Sequence, residues 1–395
     1  LTHSTNGLRR ARGLKILDFR RARQAQSERS IGPLAFVCFH EVRIMRTLAA
    51  ALSVFFATWP LVAAEVPPPT GDAIVSPDAK LELLYSRTAS IKGGLTEGPA
   101  VAPDGSIYFS DIPMGTDKGL IVRFDPKTMK TTVFTDDSGK SNGLIFDSHG
   151  MLLACEGSDH GGRRMSRWNV QTGERKTVAD NFQGKKFNAP NDIALDSRGR
   201  IYFTDPRYLG KEPRELEHRA VYRIDTNGVV SEFTHEISKP NGVAVSPDEK
   251  WLYVADHDNG TDQIDPTMPA PEQGPMKIYA WPLGSDGAAS GPRRTLYDFG
   301  ALKGCDGMCV DVQGNLYLTQ RASERPGVLV LNPEGKEIAF IPTGPANQQK
   351  REPVGLPSNV EFGIGAEANV LYITVDLSLY RIPLKVQGYH VQYEK

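Results

Sequence analysis

The chain is poor in cysteine, with four in 395 residues, and only Cys155, Cys305 and Cys309 lie beyond residue 65. An odd number excludes a complete disulfide framework. Cys305 and Cys309 flank the start of an expected strand. Four extended residues separate Cα atoms by roughly 13 Å, beyond disulfide reach, so these thiols read as small buried core residues. The familiar catalytic signatures are missing too: there is no G-x-S-x-G elbow, H-E-x-x-H pair, P-loop or dinucleotide fingerprint. Charge of one sign is also lacking, with a net charge of −1. Residues 1–44 hold nine Lys and Arg against three Asp and Glu, so the remainder carries about −7. A mildly acidic body has no reason to seek nucleic acid or an anionic membrane.

Long apolar runs are confined to one place. Residues 1–44 contain no Met, are rich in Arg and show no repeat; they read as a non-native or unstructured leader. Met45 opens MRTLAAALSVFFATWPLVAAE. Arg46 is a short basic region, Leu48 to Leu61 an apolar stretch, and Val62-Ala63-Ala64 a small-residue cleavage site. The run is short for a membrane span and contains Pro60. Residues 45–64 therefore read as a signal peptide cut after Ala64, which implies a secreted or periplasmic protein without a membrane anchor. Residues 65–80 are Pro-rich and polar, and read as a linker.

What the chain does have is repetition. EGPAVAPDGSIYFSD begins at Glu97, NGLIFDSHGMLLACE at Asn142 and NDIALDSRGRIYFTD at Asn191. NGVAVSPDEKWLYVAD follows at Asn241, DGMCVDVQGNLYLTQ at Asp306 and a degraded copy, NVEFGIGAEANVLYIT, at Asn359. The copies recur every 45 to 65 residues. That period, with short strands in each copy, predicts a radial propeller. An apolar strand, a tight turn such as Pro103-Asp104-Gly105, an alternating strand and two further strands make one four-stranded blade. Residues 81–390 are thus expected to form an all-β, six-bladed propeller. The segment before the first copy, KLELLYS, is expected to supply the last blade's outer strand and close the ring.

In a propeller the first strand of each blade lines the central channel. Glu97, Asn142, Asn191, Asn241, Asp306 and Asn359 stand at the entry of that strand and form a ring of oxygens on one face. The second strands end on the same face at Asp111, Glu156, Asp205, Asp256 and Gln320, under loops of which 206–219 and 257–275 are unusually long. Asn-Gly and Asp-Gly are also ordinary turn formers. A turn alone does not explain Glu97 at the same register, nor an apolar strand directly after every copy. Two carboxylates and several amide oxygens, without His or Cys, suit Ca²⁺ better than a transition metal. His149 and His235 fall where solvent is expected. His257, after Asp256, is a candidate proton shuttle, although an exposed loop position is the simpler reading.

The runs GLTEGPAVAPDG, SNGLIFD, KKFNAPNDIALDSRGRIYFTDP, KPNGVAVSPDEKWLYVAD and CDGMCVD resemble the senescence marker protein/gluconolactonase/luciferin-regenerating-enzyme-like family, and its bacterial gluconolactonases most. The resemblance covers about residues 85–385. It implies a catalytic divalent metal, usually Ca²⁺, held by Glu97, Asn191, Asn241 and Asp306. Asn142 and Asn359 are then neighbours in the ring. The expected reaction is metal-assisted opening of a lactone, a sugar lactone such as gluconolactone. Asp306 is the first candidate for the base and Asp256 the second. Asn142, Asp205, Arg207, Tyr208 and His257 are candidates for touching substrate, and Asp192, Asp205 and Asn359 for orienting the ligands from behind. One position departs from the family: Ala189 stands where the vertebrate branch carries a substrate-binding Arg. A phosphotriesterase of the diisopropylfluorophosphatase type and a non-catalytic ligand-binding propeller remain as alternatives.

Overall fold

The structure is a computed structural model that describes residues 66–87, 94–262, 272–344 and 355–393. The chain divides into two units, Leu1–Pro60 and Leu61–Lys395, and all described residues belong to the second. The expected leader and signal peptide lie outside the described residues.

Six four-stranded antiparallel sheets make the blades of a propeller. Their innermost strands are Leu95–Val101, Ser141–Phe146, Ile193–Leu195, Pro240–Val245, Cys305–Val310 and Pro357–Phe362. Each packs against the innermost strand of the next blade, and the last returns to the first. These are the apolar openings of the repeats, short enough to be buried on both faces. Outer strands are more open: every residue of Lys130–Thr135 is half-buried or exposed. The sixth blade takes its outer strand from the start of the propeller, because Glu82–Ser86 pairs antiparallel with Ser378–Pro383.

Two repeated devices set the blade. In the tight turn, Asp147, Asp196 and Asp311 each accept the amides two and four residues further on at 2.8–3.1 Å. The glycines of these turns sit at φ between +70° and +82°, and in the fourth copy Glu249 adopts the same hand at φ 54°. Between blades, the second-strand tyrosine reaches its neighbour. Tyr108 meets Phe146 edge-on at 5.2 Å and Tyr317 meets Phe362 at 5.0 Å.

The segment expected as a linker is part of the propeller. Thr70 pairs with Phe340, and Ile74 and Val75 are buried in a core shared with blades five and six. Ile74 also accepts the Lys385 amide at 2.8 Å. The Pro-rich composition masked one apolar pair whose burial, with these backbone bonds, docks the segment. The other unexpected element is a C-terminal strap. Residues 388–393 bond to Val310, Ala368 and Val101 and lie over a second cavity, lined also by inner-strand residues of blades two to six. Among the described residues no helix is long and apolar enough to cross a membrane.

Candidate active site

The ring residues stand where their strands bulge. Strand register shifts between Glu97 and Ala100, Ser141 and Leu144, Pro240 and Val243, Cys305 and Met308, and Pro357 and Asn359. A bulge re-aims a side chain; here it takes in Asn142, Asn241 and Asp306 and lies directly beside Glu97 and Asn359, while Asn191 precedes its strand. A glycine after the oxygen-bearing residue has a packing reason. A Cβ at Gly98 would stand 2.2 Å from the Asn142 carbonyl, at Gly143 2.7 Å from that of Asn191, and at Gly242 2.4 Å from that of Asp306. At Gly307 it would overlap the Asn359 side chain. The E-G, N-G and D-G pairs are therefore the points at which blades one, two, four and five let the next blade approach the axis, and not turns.

Glu97, Asn142, Asn191, Asn241 and Asp306 line one cavity of ≈ 280 Å³. All but Asn142 are nearly inaccessible to solvent. Asn241 donates its amide hydrogens to Asp306 Oδ1 at 2.5 Å and to the Tyr208 hydroxyl at 2.9 Å. Tyr208 in turn donates to the His257 carbonyl at 3.1 Å. Arg321 Nε stands 3.3 Å from Asp306 Oδ2. Burial, and then the charge of Asp306, holds the Glu97 carboxyl well above its usual range, against the opposing pull of Arg321.

The remaining expected residues divide sharply. Tyr208 and His257 line the cavity. His257 is not an exposed loop residue: it ends its strand, is 5% exposed, and its Nδ1 lies 2.9 Å from the Cys305 carbonyl. Burial lowers its pKa. Asp205 and Asp256 do not line the cavity. Asp205 accepts the amides of Asn188 and Ala189 at 2.7 and 2.6 Å, and Asp256 those of Ser238 and Lys239 at 3.1 and 2.9 Å. Asp376 does the same for Gly355 and Leu356 at 2.6 and 3.3 Å. These carboxylates fasten the segments entering the inner strands, which removes Asp256 as a base. Arg207 is also turned away, its Nε 3.1 Å from Asp262. Asp192 lies behind the ring, where Val243 N and Asn359 Nδ2 donate to it at 3.2 and 3.4 Å; burial pushes its carboxyl up to about 7.

Sequence reasoning missed Arg321, Lys140 and Asp159, all of which line the cavity. Arg321 had a signal, since it directly follows the second strand of the fifth repeat, whose end was already placed on this face.

The donor set fits a hard cation. It offers two carboxylates and otherwise amide oxygens, and among the described residues no three His, Cys, Asp or Glu come together. Asn142 Oδ1 is buried and has no hydrogen-bond partner. With both amide hydrogens of Asn241 donated, its Oδ1 is the atom left for a ligand.

A family model described as the SMP-30/Gluconolactonase/LRE-like region matches residues 95–376. The chain belongs to this family. A gluconolactonase of Zymomonas mobilis is 28% identical over 342 residues, covering 81% of this chain and 85% of that protein. A solved gluconolactonase of Xanthomonas campestris superposes with a TM-score of 0.65 at 28% identity, covering 82% of this chain and 96% of that one. The calcium-binding protein regucalcin of Agrobacterium tumefaciens shares the fold, with a TM-score of 0.59 at 17% identity over 79% of this chain and 96% of that one. The family is thus one of enzymes whose named relatives open lactone rings.

Proposed function

We propose that this protein is a divalent-metal-dependent lactonase acting on a sugar lactone such as gluconolactone. The observation that carries the reading is the meeting of Glu97, Asn191, Asn241 and Asp306 at one buried cavity floor, in a chain whose relatives include gluconolactonases. These four residues would hold the cation, and their hard oxygens favour Ca²⁺. When bound, the cation supplies Lewis-acid polarisation of the lactone carbonyl and charge for the oxyanion. Asp306 would take the proton of the attacking water. Arg321, at 3.3 Å, and Asn241 hold that carboxylate in one orientation. The unpartnered Asn142 Oδ1 offers an acceptor to a substrate hydroxyl or a water. Water adds to the carbonyl carbon, the ring C–O bond breaks, and the proton ends on the released alkoxide, giving a hydroxy acid.

Calorimetric titration of Ca²⁺ into chelated protein, paired with gluconolactone hydrolysis, tests this. Glu97→Gln is expected to weaken Ca²⁺ binding strongly and abolish turnover. Asp306→Asn is expected to lower kcat by about a hundredfold or more even at saturating Ca²⁺. Turnover unaffected by chelator, or wild-type Ca²⁺ affinity in Glu97→Gln, overturns the reading.

A further inference from the structure

The mouth of this cavity has two unlike sides. From blades four and five it receives His257, Asn259, Thr261 and Arg321. From blades one and three it receives Leu95, Ile112, Pro113, Ala189, Pro190 and Leu209. Leu95 and Ile112 face each other as a strand pair at the start of blade one. Leu209 is 47% exposed, and so is Met114, beside Pro113, at 46%.

Blade two, between these apolar contributors, brings the charges of Lys140 and Asp159, but both are spent on the rim itself. Lys140 Nζ lies 3.0 Å from Asp159 Oδ2 and also donates to the Gly115 carbonyl. The Gly115 amide donates to the same Asp159 oxygen at 3.1 Å. On the other side Ser158 donates to the Leu209 carbonyl at 2.5 Å, and the His160 amide to Glu212 at 2.8 Å. The loops of blades one, two and three are thus laced together by polar contacts, while Leu209 remains exposed and Leu95 and Ile112 stay half-buried above the buried Pro113, Ala189 and Pro190. Apolar surface held open in a preformed rim contributes nothing to the free protein and favours a ligand that covers it. Ala189 adds no donor on this side.

We propose that this apolar arc is a subsite for a hydrocarbon group carried on the lactone ring, so that the substrate class includes lactones with alkyl substituents of several carbons. The proposal rests on the lactonase reading above and extends it. The bond chemistry is unchanged: water adds, the ring ester C–O bond breaks, and no further reactant is needed. A hydroxylated sugar ring offers this arc no hydrocarbon group to cover it.

Full burial of a methylene is worth roughly fourfold in binding, and an open wall captures part of that. The experiment is a kcat/KM series at saturating Ca²⁺ with D-glucono-1,5-lactone and the 5-alkyl series from δ-hexalactone to δ-decalactone. A rise of about tenfold or more along the series is expected. Leu209→Asn, at an exposed position, should flatten that rise, whereas Asn259→Ala on the polar side should keep it. Ca²⁺ titration of each variant confirms an intact floor. A flat series with gluconolactone still opened overturns the subsite and leaves the lactonase reading standing. A rise that survives Leu209→Asn also overturns it. No lactone opened at any Ca²⁺ concentration overturns both.

Discussion

Tyr208 and Asn241 show how one side chain fixes the chemistry of another. An amide can present either its oxygen or its nitrogen to the ring axis. The Tyr208 hydroxyl, which itself donates to the His257 carbonyl, accepts one Asn241 N–H, and Asp306 accepts the other. The oxygen is then the atom available to a cation. Lys239, whose ammonium lies 5.0 Å over the Tyr208 ring and donates to the Thr261 carbonyl at 2.9 Å, holds the tyrosine against the rim. Tyr208→Phe keeps the ring and loses the hydroxyl. Partners behind metal ligands are typically worth 10- to 100-fold in affinity, so Ca²⁺ binding should weaken by about tenfold in a calorimetric titration of the chelated protein. Equal affinity in Tyr208→Phe and wild type would show that Asn241 is oriented by Asp306 alone. Tyr208 was expected to touch substrate; sequence gave no hint of its bond to Asn241, because the two are joined only by the approach of two blades.

At the scale of elements, the C-terminal strap carries the clearest pH dependence. Its His390 packs beneath Glu361, with Nδ1 3.7 Å from the carboxyl, at the far cavity. Burial pushes Glu361 up to about 8, with the charge of Asp192 adding to it, and pushes His390 down to about 4. The folded state thus favours a protonated Glu361 and a neutral His390. The raised carboxyl contributes stability that is full below the unfolded value near 4.5 and is lost as pH rises towards about 8. The lowered imidazole contributes stability present above 6.5 and lost as pH falls towards about 4. Urea unfolding from pH 5 to 9 should therefore show a decline on the alkaline side that is smaller in Glu361→Gln, the remainder being carried by the other raised carboxyls, Asp192 among them. A decline of the same size in the variant would place its origin elsewhere. The strap itself was illegible in sequence: it follows the last repeat, has no counterpart in the other five, and QGYHVQYEK carries no turn or strand pattern.

At the scale of the molecule, the repeats made the architecture readable because every blade solves the same packing problem at the same register. The E-G, N-G and D-G pairs announced the ring although their cause, a neighbour's backbone at the glycine, is visible only in three dimensions. Asp205 and Asp256 misled for the same reason: their place on the functional face was correct, but the amides they fasten belong to a segment whose path sequence does not show. Export belongs to this scale too. We propose that residues 45–64 are removed, so that the protein recovered from periplasm or medium begins at Glu65; intact-mass measurement decides it, and a mass that retains residues 46–64 refutes it. Among the described residues Thr70 is the first paired to the propeller, at Phe340, and a cut after Ala64 keeps that pair. The sixth blade joins Glu82–Ser86 to Ser378–Pro383, residues from the two ends of the array. A chain emerging N-terminus first must keep that early strand without a partner until nearly the last residue has appeared. The order of synthesis thus postpones closure of the ring, a delay written into the topology itself.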